Sequence, residues 1–231
     1  MPAIASNHLL HQLPPELRQR IVAVAEPVSL PIRSTLYVPG KAPKHLHFVT
    51  SGIASVVAAM STGDGVEVGL VGREGVPEAF HLLGPAGGVT DCFVQVAATA
   101  LRVDFNQFRE EFFPLEPVRR LLLQYVQYGS SLTGQIAACN RLHEVEQRMA
   151  RWLLMVADRI GEQRFSLTQE FLAEMIGSRR STVTLTAGLL KRSGLITYQR
   201  GQIEIIDRAG LEASACECYP ITRKLLGNLQ H

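Results

Sequence analysis

The 231-residue sequence predicts an α+β protein: an antiparallel β part, one long helix, and a helical part edged by a β-hairpin. Three observations predict it. Short apolar runs cut by Gly and Pro fill residues 29–104, a texture that suits many short strands. After Pro117 there is no further proline up to Gly161, and apolar residues recur at helical spacing. Beyond Gly161, two short helical segments meet at Gly177 and precede a strand–turn–strand pattern.

Composition bounds the rest. With 46% apolar and 19% charged residues the chain can bury an ordinary core and is not disordered. Length suggests one large domain or two small ones. Net charge is only +2, so nucleic-acid binding must rest on local charge. No run is apolar for long enough to cross a bilayer. Residues Met1–His8 lack a basic region followed by an apolar one, so no signal peptide is expected and a cytoplasmic location follows. Cys92, Cys139, Cys216 and Cys218 are too few for a disulfide scaffold, and free thiols are expected.

Taken in order, Pro14-Pro15-Glu16 opens a helix that ends near Ala25. Leu46–Val49 reads as a strand, Ser51-Gly52 as a break, and Ile53–Met60 as a second strand. Ser61–Gly65 is a turn signal, and Val66–Val71 alternates as a half-buried strand does. Cys92–Ala97 and Ala100–Val103 read the same way. Such spacing suits an antiparallel sandwich, jelly roll or barrel. Val118, Leu121, Tyr125, Tyr128, Leu132, Gln135 and Cys139 are spaced 3, 4, 3, 4, 3, 4. That seam predicts a helix pairing with a second copy, with Leu121, Tyr125, Tyr128 and Leu132 at the contact. Packing of the seam on its own β part is the alternative. A second helix over Glu144–Ile160, stopped by Gly161, places the single Trp152 on its apolar face.

Thr168 caps a short helix that Gly177 ends; Ser178 then caps a second helix running to Ser193-Gly194. Ala173, Ile176, Val183 and Leu189-Leu190 form the core between the two. Leu195–Tyr198 and Ile203–Ile206 are hairpin strands around a basic tip, Gln199–Gln202. This is a winged helix-turn-helix pattern. Residues 164–208 carry a local net charge of +3, more than the whole chain. Arginine can donate two parallel hydrogen bonds to guanine, and helix-start amides favour phosphate. The DNA-binding candidates are Thr168, Gln169, Ser178, Arg179, Arg180, Ser181, Thr182, Thr184, Lys191 and Arg200. Of these, Arg180, Ser181 and Thr184 are expected at bases, and Arg179, Thr182 and Lys191 at phosphates.

With its β part, seam helix and winged helix in that order, the chain resembles the Crp/Fnr family of bacterial transcription regulators. The resemblance is sharpest over Leu167–Ile196, LTQEFLAEMIGSRRSTVTLTAGLLKRSGLI, which is similar to the family's T..ELA..LG.SRETVSR.L..L...GLI. It implies a cyclic-nucleotide-binding-like jelly roll as sensor over residues 1–116, a dimerisation helix over 117–139, and a winged helix-turn-helix over 140–231. It also implies a homodimer on a palindromic site of double-stranded DNA, RNA polymerase as a partner, an unidentified small-molecule effector, and no membrane. The family's base-reading arginine maps to Arg180; its glutamate becomes Ser181 and its later arginine Leu185. A half-site unlike the family's usual one is therefore expected.

The effector pocket by resemblance comprises Arg73, Glu74, Glu78, Thr90 and Asp91. Pro77 replaces the glycine before the ribose-binding glutamate. Thr90-Asp91-Cys92 stands where the phosphate-binding arginine is expected, so no tight cyclic-AMP binding is predicted. No cysteine precedes Cys92, which discounts the cluster-binding branch of the family. Cys216-Glu217-Cys218 could chelate a soft metal, but a terminal helix that merely contains both thiols is the plainer reading, and no metal ligand is assigned. His45 and His47 share one strand face without a third ligand. No nucleotide-binding glycine loop, H-E-x-x-H or G-x-S-x-G occurs, and no catalytic residue is assigned. The cofactor is left unknown. The alternatives are a constitutive regulator with a vestigial sensor and a cupin-like metal-dependent enzyme using His45 and His47.

Overall fold

A computed structural model of the chain describes residues 7–61, 65–84 and 87–229. It divides into two compact units. The first comprises residues 1–56, 69–131 and 226–231, and the second 57–68 and 132–225.

The first unit begins with two short helices, α1 (His8–Gln12) and α2 (Pro15–Val24). Asn7 caps α1: its Oδ1 accepts from Leu10 N, while its Nδ2 donates to the carbonyls of Val49 and Gly75. Five strands follow, β1 (Glu26–Leu30), β2 (Thr35–Tyr37), β3 (His45–Ala59), β4 (Gly65–Val71) and β5 (Asp91–Asp104). They form one sheet in the order β1-β5-β3-β4, with β2 also paired to β5. The β1–β5 pairing is antiparallel, with Glu26 opposite Arg102 and Leu30 opposite Ala98.

Two expectations change here. The separate strands at Leu46–Val49 and Ile53–Met60 are one fifteen-residue strand, β3. Those at Cys92–Ala97 and Ala100–Val103 are likewise one strand, β5. Gly52 does not end β3; its φ of +76° and its close approach to the Ala97 carbonyl bend the strand while its pairing continues. The turn signal at Ser61–Gly65 falls mostly on residues 62–64, outside the described residues. After a 3-10 turn at Ala79–Leu83 and β5, helix α3 (Phe105–Glu111) adds Phe105 and Phe108 to the core, where Phe108 packs between Phe48 and Phe112.

The long helix is α4 (Glu116–Leu142). Its 3-4 spacing is helical, and the seam residues are buried within the single chain. Leu121, Tyr125, Tyr128 and Leu132 are 8%, 6%, 7% and 2% exposed in the single chain, so the chain itself already covers them. Tyr125 lies so close to Gly75 that a side chain there would collide with its phenol. An apolar stripe states that a face must be covered, not by what. The outer face of α4 instead presents Leu123, 47% exposed, then Gln127, Ser130, Gly134 and Ala137.

In the second unit, α5 (Val145–Ile160) starts in a capping box between Glu144 and Gln147 and ends at Gly161 in the left-handed conformation. Trp152 is 1% exposed, and its Nε1 donates to Glu67 Oε1. Then come β6 (Arg164–Ser166), α6 (Gln169–Ile176), α7 (Arg180–Arg192), β7 (Ile196–Gln199), β8 (Gln202–Ile205), α8 (Arg208–Ser214) and α9 (Cys218–Leu229). The sheet order is β6-β8-β7; β6 is a third strand absent from the sequence reading, too short to show a period. Cys216 lies between α8 and α9 and not in a terminal helix, which corrects the placing of that thiol pair. Leu190 is buried between the helices as expected, but Leu189 faces out at 38% exposure. No helix among the described residues is long and apolar enough to cross a membrane.

Candidate nucleic-acid interface

The helix pair is built by local rules. Thr168 Oγ1 accepts from Phe171 N and caps α6. Gly177, at φ +62°, closes it, and Ser178 N reaches back to the Ala173 carbonyl. The Ile176 carbonyl also accepts from the buried Arg148 Nη1 at 2.9 Å. Phe171, Leu172, Met175, Ile176, Val183, Ala187 and Leu190 fill the space between the helices and α5.

One cap differs from expectation. The residue before α7 is Arg179, not Ser178, and it makes no side-chain cap. The first-turn amides of α7 therefore receive no side-chain acceptor from their cap residue. At the hairpin tip Arg200 and Gly201 take φ +49° and +75°, the mirror-image turn that suits two-residue hairpins. That turn projects Arg200 into solvent.

Arg179, Arg180, Ser181, Thr184, Leu185, Lys191 and Arg200 are exposed, as is Thr168; Gln169, Ser178 and Thr182 are half-buried. Arg179, Arg180, Lys191 and Arg200 pair with no carboxylate among the described residues. A concavity of about 270 Å³ gathers Thr168, Gln169, Arg180 and Arg200 with Tyr198 and Gly201. Tyr198 is the residue that sequence reading missed. Its hydroxyl donates to the Leu167 carbonyl at 2.9 Å, fixing the hairpin to the start of α6. Burial raises its pKa against the opposing charge of Arg180. Thr184 is less free than expected, because its hydroxyl lies 2.8 Å from Gln169 Oε1 and 2.9 Å from the Arg180 carbonyl. It positions Gln169 through that hydroxyl. Leu185, 63% exposed, adds an exposed apolar side chain on the same helix.

The proposed sensor residues differ in burial and in partners. Glu78 is fully buried; its carboxylate accepts from His47 N at 3.0 Å and from His47 Nδ1 at 2.7 Å. Glu74 is buried and accepts from Gly72 N. Glu78 therefore ties its segment to β3, and Glu74 closes its own turn. Arg73, Thr90 and Asp91 are half-buried. Nearby, Tyr37 and His81 are buried ring against ring at 4.7 Å; the Tyr37 phenol lies beside Thr90 and Cys92, and His81 Nε2 has no hydrogen-bond partner among the described residues. Burial pushes the Tyr37 phenol far up and keeps His81 below its ordinary value, so both are neutral polar groups. His45 and His47 have ring centroids 6.2 Å apart, with His47 committed to Glu78.

Residues 147–214 match the family model described as a Crp-like helix-turn-helix domain. No curated protein matches the chain. Among solved structures, a Crp/Fnr-family transcriptional regulator from Eubacterium rectale is 16% identical; the match covers 89% of this chain and 96% of that one, at TM-score 0.70. FixK2 from Bradyrhizobium japonicum is 15% identical over 84% and 98%, also at 0.70. TTHA1359, a Crp/Fnr-family transcriptional regulator from Thermus thermophilus, is 24% identical over 82% and 98%, at 0.62. The chain thus carries a Crp-like helix-turn-helix domain within the fold of Crp/Fnr-type transcription regulators.

Proposed function

We propose that the chain is a homodimeric transcription regulator that reads an inverted-repeat duplex with α7 and answers to a small-molecule effector. The carrying observation is the row of exposed, unpaired cations on α7 and the hairpin tip beside uncapped helix-start amides. Cations without carboxylate partners favour a polyanion, and helix-start amides suit phosphate oxygens. Arg180 reads guanine, Ser181 takes either kind of edge, and Leu185 with the Thr184 methyl meets thymine methyl groups. Arg179, Lys191 and Arg200 contact phosphates. The test is selection of the purified chain against a randomised duplex library at moderate salt. Enrichment of an inverted repeat is expected; binding without preference, with or without cell extract, overturns the reading.

Two-fold symmetry is required to set two α7 helices about 34 Å apart in successive major grooves. The exposed Leu123–Gln127–Ser130–Gly134–Ala137 stripe of α4 supports a contact between copies on the face opposite the buried seam. Leu123→Arg is expected to convert a dimer to a monomer in sedimentation equilibrium. RNA polymerase is the partner such a regulator would engage.

The effector contacts His81 Nε2, a buried neutral group without a hydrogen-bond partner among the described residues, beside the Tyr37 phenol. Glu78, already bonded twice to His47, is not free for a ribose. A neutral polar ligand fits better than a cyclic phosphate. Calorimetry is expected to show no cyclic-AMP binding at micromolar concentrations; a micromolar or tighter dissociation constant would contradict it.

A further inference from the structure

Four ligand-type side chains from distant parts of the sequence meet inside the second unit. Cys139 and His143 stand one turn apart on α4 and just beyond its end, while Cys216 and Cys218 bracket the start of α9. Their Sγ and ring-nitrogen atoms all lie within 4.8 Å of one another. The Cys139 and Cys216 sulfurs are 3.5 Å apart, and the Cys218 sulfur is 3.5 Å from His143 Nδ1. The three cysteines are buried and unlinked, and His143 is half-buried. Four donors tetrahedrally placed at zinc-ligand bond lengths have edges of roughly 3.5–3.8 Å.

We propose that Cys139, His143, Cys216 and Cys218 form a closed Cys₃His site for one structural Zn²⁺.

The donor set argues for this metal. Three thiolates and one imidazole exclude hard cations such as Mg²⁺ and Ca²⁺, and a full set of four leaves no open position for chemistry. The surroundings are those of a metal site. His143 presents Nδ1 to the cluster and Nε2 to the Glu217 carboxylate at 3.7 Å, the usual way a ligating imidazole is oriented. Gln135 Nε2 donates to the Cys218 sulfur at 3.1 Å.

Charge supplies an independent reason. A Zn²⁺ bound by three thiolates and a neutral imidazole carries one net negative charge. Two buried arginines of α5 face this region, Arg148 at 7% and Arg151 at 3% exposure. Arg148 donates to the Ile176 carbonyl and Arg151 to the Met155 sulfur, and each Nε is without a partner among the described residues. Neither has a carboxylate at ion-pair distance among the described residues. Arg151 acts electrostatically on both Cys139 and Cys216, and Arg148 is acted on by the same two thiols. Buried cations need a buried anion, and the thiolate–zinc centre is that anion. Loading is balanced simply: the thiols release their protons to solvent as their sulfurs bind Zn²⁺, with no change in oxidation state. The ion would fasten the end of α4 to the α8–α9 connection.

The test uses the untagged full chain purified without chelator. Elemental analysis is expected to find one zinc per chain in the wild type and in Cys92→Ser, and less than roughly a tenth of that in Cys139→Ser and Cys218→Ser. Because those variants can fail by misfolding, Co²⁺ is also titrated into the metal-free wild type. A one-to-one endpoint with thiolate-to-cobalt charge transfer and tetrahedral visible bands is expected, and stoichiometric Zn²⁺ should raise its Tm by roughly 5 °C or more. Absence of zinc with no such cobalt spectrum, copper in place of zinc, or a Cys139–Cys216 disulfide in the intact mass would each overturn the proposal. None of these readouts depends on DNA binding.

Discussion

Arginine occurs on α5 and on α7 in opposite circumstances. On α5, Arg148, Arg151 and Arg159 are buried at 7%, 3% and 5% exposure, and their guanidinium groups donate to carbonyl oxygens and a thioether. On α7, Arg180 and Arg192 stand in solvent with Arg179 just ahead of them. The contrast teaches that charge count alone says little about partners. Buried arginines are fold components, held where internal acceptors wait for them. Exposed ones without carboxylates nearby keep their donors for something outside the chain.

Substitution can break this contrast. Arg148→Ala should cost the most, about 2–4 kcal/mol in urea unfolding, because it strips the Ile176 carbonyl of its donor and leaves a hole against α6. Arg180→Ala should leave unfolding within about 0.5 kcal/mol of wild type while losing about 1–3 kcal/mol of discrimination at one base pair. Equal weakening on all duplexes would remove Arg180 from the bases. Lys191→Ala should weaken binding uniformly and lower the slope of log K against log salt by about 1. If Lys191→Ala unfolded the chain as Arg148→Ala does, the division between inward and outward cations would fail.

Most of the winged domain was legible in the sequence because its rules are local. A cap at Thr168, a left-handed glycine at 177 and a hairpin around Arg200-Gly201 each follow from a few adjacent residues. What escaped was decided by residues far apart. The 3-4 stripe of α4 fixed its period but not its cover, and Leu121, Tyr125, Tyr128 and Leu132 turned out to be covered by their own chain. Gly52 read as a stop, yet strand pairing on both sides carried β3 through it. The bond between Glu78 and His47 joins residues 31 apart, so no local spacing announced it. The thiol cluster had a partial signal. Cys139-x₃-His143 is a ligand spacing on a helix and Cys216-x-Cys218 is another, but only the fold joins them.

The bare start of α7 has one last implication. A serine or aspartate cap would tie down its leading amides and stiffen the free protein, yet the same oxygen would compete with an incoming phosphate for those amides. With Arg179 in that place, the leading turn has no cap of its own, and on the proposed function a duplex would complete it. On that reading, rigidity in the unbound molecule is exchanged for grip on the bound one.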